Sequence, residues 1–222
     1  MKCTIIYSVL DSQDVLTRQI LHLSKIVPND WEVVIMDDGS SPALTIPENT
    51  ELNVRLIKTL NFTPWTQMLA RDWAAFRYSS GEYLFMSDID HILTKEAITS
   101  IKNFNGDMMK FPRNYGVLNE KGELVRDAET LVSYGSSLEN LNWVGKHENT
   151  FSIKASTFRE KLNGYSKYFY GRYPGDDQDL IDRYASLVQQ GIVSEVVDGA
   201  MIHVFPDPSK DVRKMFHSAS RD

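Results

Sequence analysis

Two pairs of aspartates, Asp37/Asp38 and Asp88/Asp90, stand where apolar runs end. Trp31-Glu32-Val33-Val34-Ile35-Met36 leads into the first pair and Glu82-Tyr83-Leu84-Phe85-Met86-Ser87 into the second. Both runs read as buried strands, and the C-terminal edge of a parallel sheet is where open α/β proteins bind ligands. Carboxylates crowded at that edge repel one another unless a cation, or hydrogen bonds from a ligand, compensates them. The Asp-x-Asp spacing puts two carboxylates on a tight turn, within reach of one hard divalent ion such as Mg²⁺ or Mn²⁺. Such an ion, bridging a diphosphate, would neutralise charge building on a departing nucleotide. Turn formation and helix capping are the competing explanation. Two pairs, each at a strand end, favour chemistry over it.

A third acidic group, Asp176-Asp177-Gln178-Asp179, opens a helix whose one face carries Leu180, Ile181, Tyr184, Leu187 and Val188. Taken alone, these residues are better explained as caps, because Asp at a helix start satisfies free N–H groups and complements the dipole. A carboxylate there, beside a loop rich in Tyr and Arg (residues 168–173), is also a workable general base. His203, in the run Ala200-Met201-Ile202-His203-Val204, is a candidate third metal ligand, although a lone histidine of this kind is more often structural.

The elements that must position these groups follow from periodicity. Thr4 to Val9 reads as a central strand. Asp14 to Ile26 reads as a helix with Val15, Leu16, Ile20, Leu21, Leu23 and Ile26 on one face, Asp11 or Ser12 as N-cap and Pro28 just beyond its end. With the strand before Asp37 this makes a βαβ unit. Further strands are expected at Asn53 to Lys58, Met108 to Pro112, Leu124 to Val125, Asn149 to Lys154, Ile192 to Val197 and Ala200 to Val204. Helices are expected from Thr66 to Tyr78, from Thr94 to about Asn105 and from Gly175 to Gln190. The stretch 107–145 is the least periodic.

The chain has 222 residues, 42% hydrophobic and 24% charged, enough for one domain with a real core. A net charge of −6 argues against bulk nucleic-acid binding. The single cysteine, Cys3, excludes an intrachain disulfide and a Cys-based zinc site. No apolar stretch reaches the roughly 20 residues of a membrane helix. The short apolar run Thr4 to Leu10 is too brief for a secretory signal, so a cytoplasmic location is expected and the sequon at Asn61 is read as chance. No Gly-x-Gly-x-x-Gly, Walker or Gly-x-Ser-x-Gly motif occurs.

Four segments, in this order and spacing, resemble the GT-A glycosyltransferases, especially the inverting family-2 enzymes and the β-1,4-galactosyltransferases. They are Val34 to Ser40 with its Asp-Asp-Gly-Ser, Met68 to Ala75 with Ala-Arg-Asp where the family has Ala-Arg-Asn, Gly81 to Asp90 with its Asp-x-Asp, and Asn149 to Arg183. The last contains Asn163-Gly164-Tyr165 and Asp176-Asp177-Gln178-Asp179-Leu180, similar to the family's Glu-Asp-x-Asp-Leu.

The resemblance implies a single α/β GT-A domain over 1–222: a Rossmann-like nucleotide-sugar half to about residue 95, an acceptor and catalytic-base half after it, and a mixed, mostly parallel central sheet. It implies that Ser8, Asp37, Asp38, Arg71 and Asp88 bind the nucleotide-sugar, that Asp90 and His203 hold Mn²⁺ or Mg²⁺, and that Asp177 is the base. Asp176 would contact the acceptor, and Trp143 and Tyr173 would stack on its sugar faces unless they serve as core or rim packing. The expected partners are a nucleotide-sugar, UDP-linked by preference, and a carbohydrate or other hydroxyl acceptor. The rivals are a sugar nucleotidyltransferase, against which stands the lack of Gly, Lys and Arg in Tyr7 to Asp14, and a non-catalytic binding module.

Overall fold

The computed structural model describes residues 2–48, 50–59, 66–136, 139, 141, 144–171 and 175–206, with backbone alone for 146–149. Strands β1 (Cys3–Val9) and β2 (Glu32–Asp37) are buried along their whole length, which explains their unbroken apolar runs. Helix α1 (Gln13–Ile26) connects them and lays Leu16, Ile20 and Leu23 into the core. β3 (Val54–Lys58) adds parallel to β2, and β4 (Tyr83–Ser87) adds parallel to β1 on its other side. This placement brings Asp37 and Asp88 to the same edge of the sheet, each at or just past a strand's C-terminal end.

The remaining strands are β5 (His91–Ile92), β6 (Met108–Tyr115), β7 (Val117–Leu118), β8 (Leu124–Val125), β9 (Val144–Lys154), β10 (Glu195–Val197) and β11 (Ile202–Val204). One nine-stranded sheet runs β3-β2-β1-β4-β9-β6-β11-β5, with β10 beside β6, while β7 and β8 form a separate hairpin. Pairing is antiparallel where β9 meets β4 and β6 and where β11 meets β5, and parallel elsewhere in that sheet. The expected mixed, mostly parallel α/β sheet is what the chain builds. Strands from both sequence halves share it.

Among the described residues, four further α-helices join α1: α2 (Gln67–Trp73), α3 (Lys95–Asn103), α4 (Ala128–Ser133) and α5 (Asp176–Gln189). α1 and α3 cover one face of the sheet, and α2 and α5 the other. Each fully buried Leu, Ile, Val or Phe in these clusters contributes about 1.5–3 kcal/mol. Among the described residues, no helix is long and apolar enough to cross a membrane.

Several elements differ from the sequence expectation. The single helix from Thr66 to Tyr78 is α2 followed by a π-helical turn, Ala74–Tyr78. The Ala75 carbonyl there takes bonds from Arg159 Nε (2.9 Å) and Ser79 Oγ (2.7 Å), side-chain partners that a sequence reading does not see. In the weakly patterned stretch, β6 runs to Tyr115 because a bulge between Lys110 and Pro112 accommodates the proline. Strands β5 and β7 and helix α4 are too short to leave a periodic signal. The turn at Asn119 is built by its own side chain: Asn119 Oδ1 accepts from the N–H groups of Lys121 and Glu123 at 2.9 Å each, and Gly122 supplies φ of +69°.

Candidate active site

The first acidic pair divides its labour. Asp37 Oδ1 accepts from Ser40 N (2.8 Å) and its Oδ2 from Leu44 N (3.1 Å), so both oxygens shape the loop after β2. Asp37, expected to help bind the base, thus spends both oxygens on the backbone of this loop. Asp38 Oδ1 accepts the hydroxyls of Thr66 (2.6 Å) and Thr59 (3.2 Å), while Asp38 N donates to Val9 O (2.9 Å). Burial raises the Asp38 pKa, with the neighbouring Asp37 charge adding to the rise and the two hydroxyls opposing it. Ser8 is buried near the end of β1, beside Met36 in the ladder.

At the second pair the backbone is pinned on every side. Gln19, fully buried on α1, donates its amide to Ile89 O (2.8 Å) and His91 O (2.9 Å). Phe205 N donates to Asp90 O (3.1 Å), and His91 N to Asp88 O (3.1 Å). On the side chains, Asp88 Oδ1 accepts from Gln67 Nε2 (2.8 Å) and Arg71 Nη2 (2.5 Å). Asp88, Asp90 and His91 bring ligand-type atoms within 4.8 Å of one another. Two part-exposed carboxylates on a rigid turn suit Mn²⁺ or Mg²⁺, whose preferred donors are oxygens.

His203 is not in that group. β11 pairs His203 with Ile92 and Val204 with His91, and partners in a ladder share a face, so His203 and His91 point to opposite sides. The His203 ring bonds Asn114 Oδ1 and lies against Gly116, where an added Cβ would come within 2.8 Å of the His203 Cβ. Burial, then the nearby Arg126 and His22 charges, pushes its pKa down to about 4. The imidazole beside the acidic pair is His91; His203, expected there, lies outside that group.

Arg71 ties the site together. Its guanidinium is fully buried; beyond Asp88 it donates to Ser87 O (3.1 Å), and Tyr165 acts on its charge. Burial alone would lower its pKa, but the charges of Asp88 and Asp177 and the Tyr165 partner raise it above the usual range. A cation held this firmly links the Asp-x-Asp turn to the start of α5. There Gly175, at φ of +115°, offers no capping side chain, and the Asp176 carboxylate accepts N–H bonds from its own residue and from Asp177. Burial raises the Asp176 pKa, with Asp88 adding to the rise. Asp176 is buried against the first turn of α5, and Asp177 beside it is half-buried.

Asp72 explains the departure from the family's Ala-Arg-Asn. Its carboxylate accepts from Tyr165 N (3.0 Å) and the Tyr170 hydroxyl, and Gly164 fits against it with φ of +71°. A Cβ at Gly164 would fall 2.6 Å from Asp72 Oδ1. Arg183, paired with Asp179 at 2.9 Å, also holds this loop through Leu162 O (2.7 Å) and Gly164 O (3.0 Å). Asp72 thus anchors the loop that carries Tyr165 to Arg71. Burial pushes its pKa up from 3.8 to about 6 against the effect of its hydrogen bonds. A raised folded-state pKa means the native state holds the extra proton, so stability falls as pH rises from about 4 to about 6. The Asp72→Asn variant should lack this slope and gain up to about 3 kcal/mol over the parent at neutral pH, read by urea denaturation across pH.

Trp143 and Tyr173, expected at the acceptor, lie outside the described residues, as does the basic tail after Pro206. The sequence reading missed Gln19, Gln67, His91 and Arg113. His91 alone had a local signal, its place immediately after Asp-x-Asp.

No family profile matches the chain, and no curated protein does. Solved structures do. TarS of S. aureus in complex with UDP superposes with a TM-score of 0.60 over 99% of this chain and 65% of that one, at 16% identity. The mannosyltransferase PcManGT from Pyrobaculum calidifontis, in complex with GDP-Man and Mn²⁺, gives 0.57 over 97% and 60%, at 13% identity. GalNAc-T7 with UDP, GalNAc and Mn²⁺ gives 0.61 over 92% and 44%, at 10% identity.

The chain has the GT-A fold. It spans less than two thirds of the length of each of these three glycosyltransferases, and at such identities the likeness concerns the fold.

Proposed function

We propose that the chain is an inverting, metal-dependent glycosyltransferase that moves a sugar from a nucleotide-sugar, UDP-linked by preference, to an acceptor hydroxyl. The observation that carries the reading is Arg71, a buried cation bonded to Asp88 of the Asp-x-Asp turn, whose pKa the Asp177 charge of α5 also raises. This electrostatic link supports a candidate metal-binding turn and a candidate base serving one site at the C-terminal edge of the sheet.

Asp38 and Ser8 line the nucleotide pocket in this reading, and Asp88 and Asp90 hold Mn²⁺ or Mg²⁺. When bound, that ion supplies Lewis-acid stabilisation of the diphosphate leaving group. Asp177 accepts the proton of the acceptor hydroxyl as its oxygen bonds to the anomeric carbon. The bond from that carbon to the diphosphate oxygen breaks on the opposite face, which inverts the centre. Asp176 fixes the start of α5 so that Asp177 keeps its aim. Trp143 and Tyr173 are proposed to meet the acceptor. The presence of UDP, GDP-Man and Mn²⁺ in the structural neighbours supports the donor class and the ion.

The stereochemistry is directly testable. With an α-linked UDP-sugar donor, proton NMR of the first-formed product should show the β-anomer; an α-linked product would refute inversion.

A further inference from the structure

We propose that His91 is a positioning residue for Asp90, not a third metal ligand, and that Arg113 assigns it this role by fixing which ring nitrogen carries the proton. The inference rests on the metal-dependent transferase reading above. Arg113 reaches from β6 and puts Nη1 2.8 Å from His91 Nε2. A guanidinium has donors and no acceptor, so Nε2 accepts. The ring proton therefore sits on Nδ1, which faces Asp90 Oδ1 at 3.1 Å and Asp88 Oδ2 at 4.0 Å. Nδ1–H donates to Asp90, and neither ring nitrogen has a lone pair to offer an ion.

The opposite tautomer sets Nε2–H against an arginine N–H at 2.8 Å, two donors face to face. Burial makes that arrangement costly, since the His91 side chain is only 3% exposed and little water can separate the two groups. The ring is also held by its backbone, whose carbonyl takes the Gln19 amide and whose strand β5 pairs with β11. The chain Arg113–His91–Asp90 thus ends on a carboxylate and orients it, as outer hydrogen-bond partners do at metal sites. It leaves carboxylate oxygens as the turn's donors, a set that suits Mg²⁺ and Mn²⁺ better than Zn²⁺ or Cu²⁺, which imidazole favours.

Long-range ¹H–¹⁵N NMR on the full chain, labelled at its 5 histidines, reads the tautomer; a His91→Asn variant assigns the signal. The expected spectrum has a protonated Nδ1 and a bare Nε2 at His91, unchanged when Mg²⁺ and UDP are added. In Arg113→Met the proton should shift toward Nε2, and Mg²⁺ affinity measured with UDP present should fall by about 10- to 100-fold. A wild-type Nε2–H tautomer, or loss of the Nδ1 proton on adding Mg²⁺, would overturn the proposal. The wild-type spectrum decides this even if the variant does not fold. A protein that keeps Nδ1–H yet binds no Mg²⁺ beside UDP sinks the transferase reading and upholds the hydrogen-bond order.

Discussion

Replacing Asp177 with Asn should lower the transfer rate by about 10²- to 10⁴-fold while leaving UDP affinity near that of the parent. The amide keeps the shape of the carboxylate and is a good residue for a helix start, so α5 should hold its position. What is lost is the proton acceptor. Asp176→Asn provides the contrast, because Asp176 is buried and bonded to the N–H groups of the first helical turn. Its replacement should change the rate by less than about tenfold, the scale of a small positional effect rather than of a lost base. Initial rates and nucleotide titration of both variants decide the matter. If Asp176→Asn removed turnover and Asp177→Asn did not, the roles would be exchanged.

The Arg71→Met variant should show the largest effect on folding, about 3–5 kcal/mol by urea denaturation, because it strips the cation from a cluster of buried and half-buried acids. Arg71 has no exposed surface and contacts Asp88, Ser87 and Tyr165. Without it the Asp88 charge loses its partner, and the Asp176 and Asp177 charges lose their compensation. Removing the acid as well should restore part of the loss: Arg71→Met/Asp88→Asn should be less destabilised than the sum of the two single variants by more than 1 kcal/mol, a coupling expected of contacting charges. Additive effects would mean that Arg71 acts through packing alone. Arg71→Lys should restore charge without the fork of donors that reaches Asp88 and Ser87 together, and fall between parent and Met.

The buried parallel strands were legible because a strand covered on both faces is mostly apolar, as β1, β2 and β4 are between their few polar residues. Asp38, Asp88 and Asp90 stood out in the sequence because they follow such runs, whereas Asp177, at a helix start, drew its reading from the resemblance alone. Long-range partnership was not legible. Gln19 clamps residues 70 and 72 positions away, and Arg113 meets His91 across two strands of different direction. Neither bond has a sequence period. His203 falls outside the Asp88–Asp90–His91 group because its strand is only three residues long, and one ladder register decides which face the ring takes. The loop contacts of Asp37 were illegible for another reason. A carboxylate that shapes its own loop and one that faces a ligand have the same sequence signature.

Calorimetric titration of UDP, with and without Mn²⁺, tests the central claim most directly. UDP should bind at least tenfold more tightly with Mn²⁺ present, and Asp90→Ala should erase that difference. If UDP, GDP, CMP and dTDP all failed to bind with or without Mn²⁺, the strand-end aspartates would be turn residues and the transferase reading would be wrong.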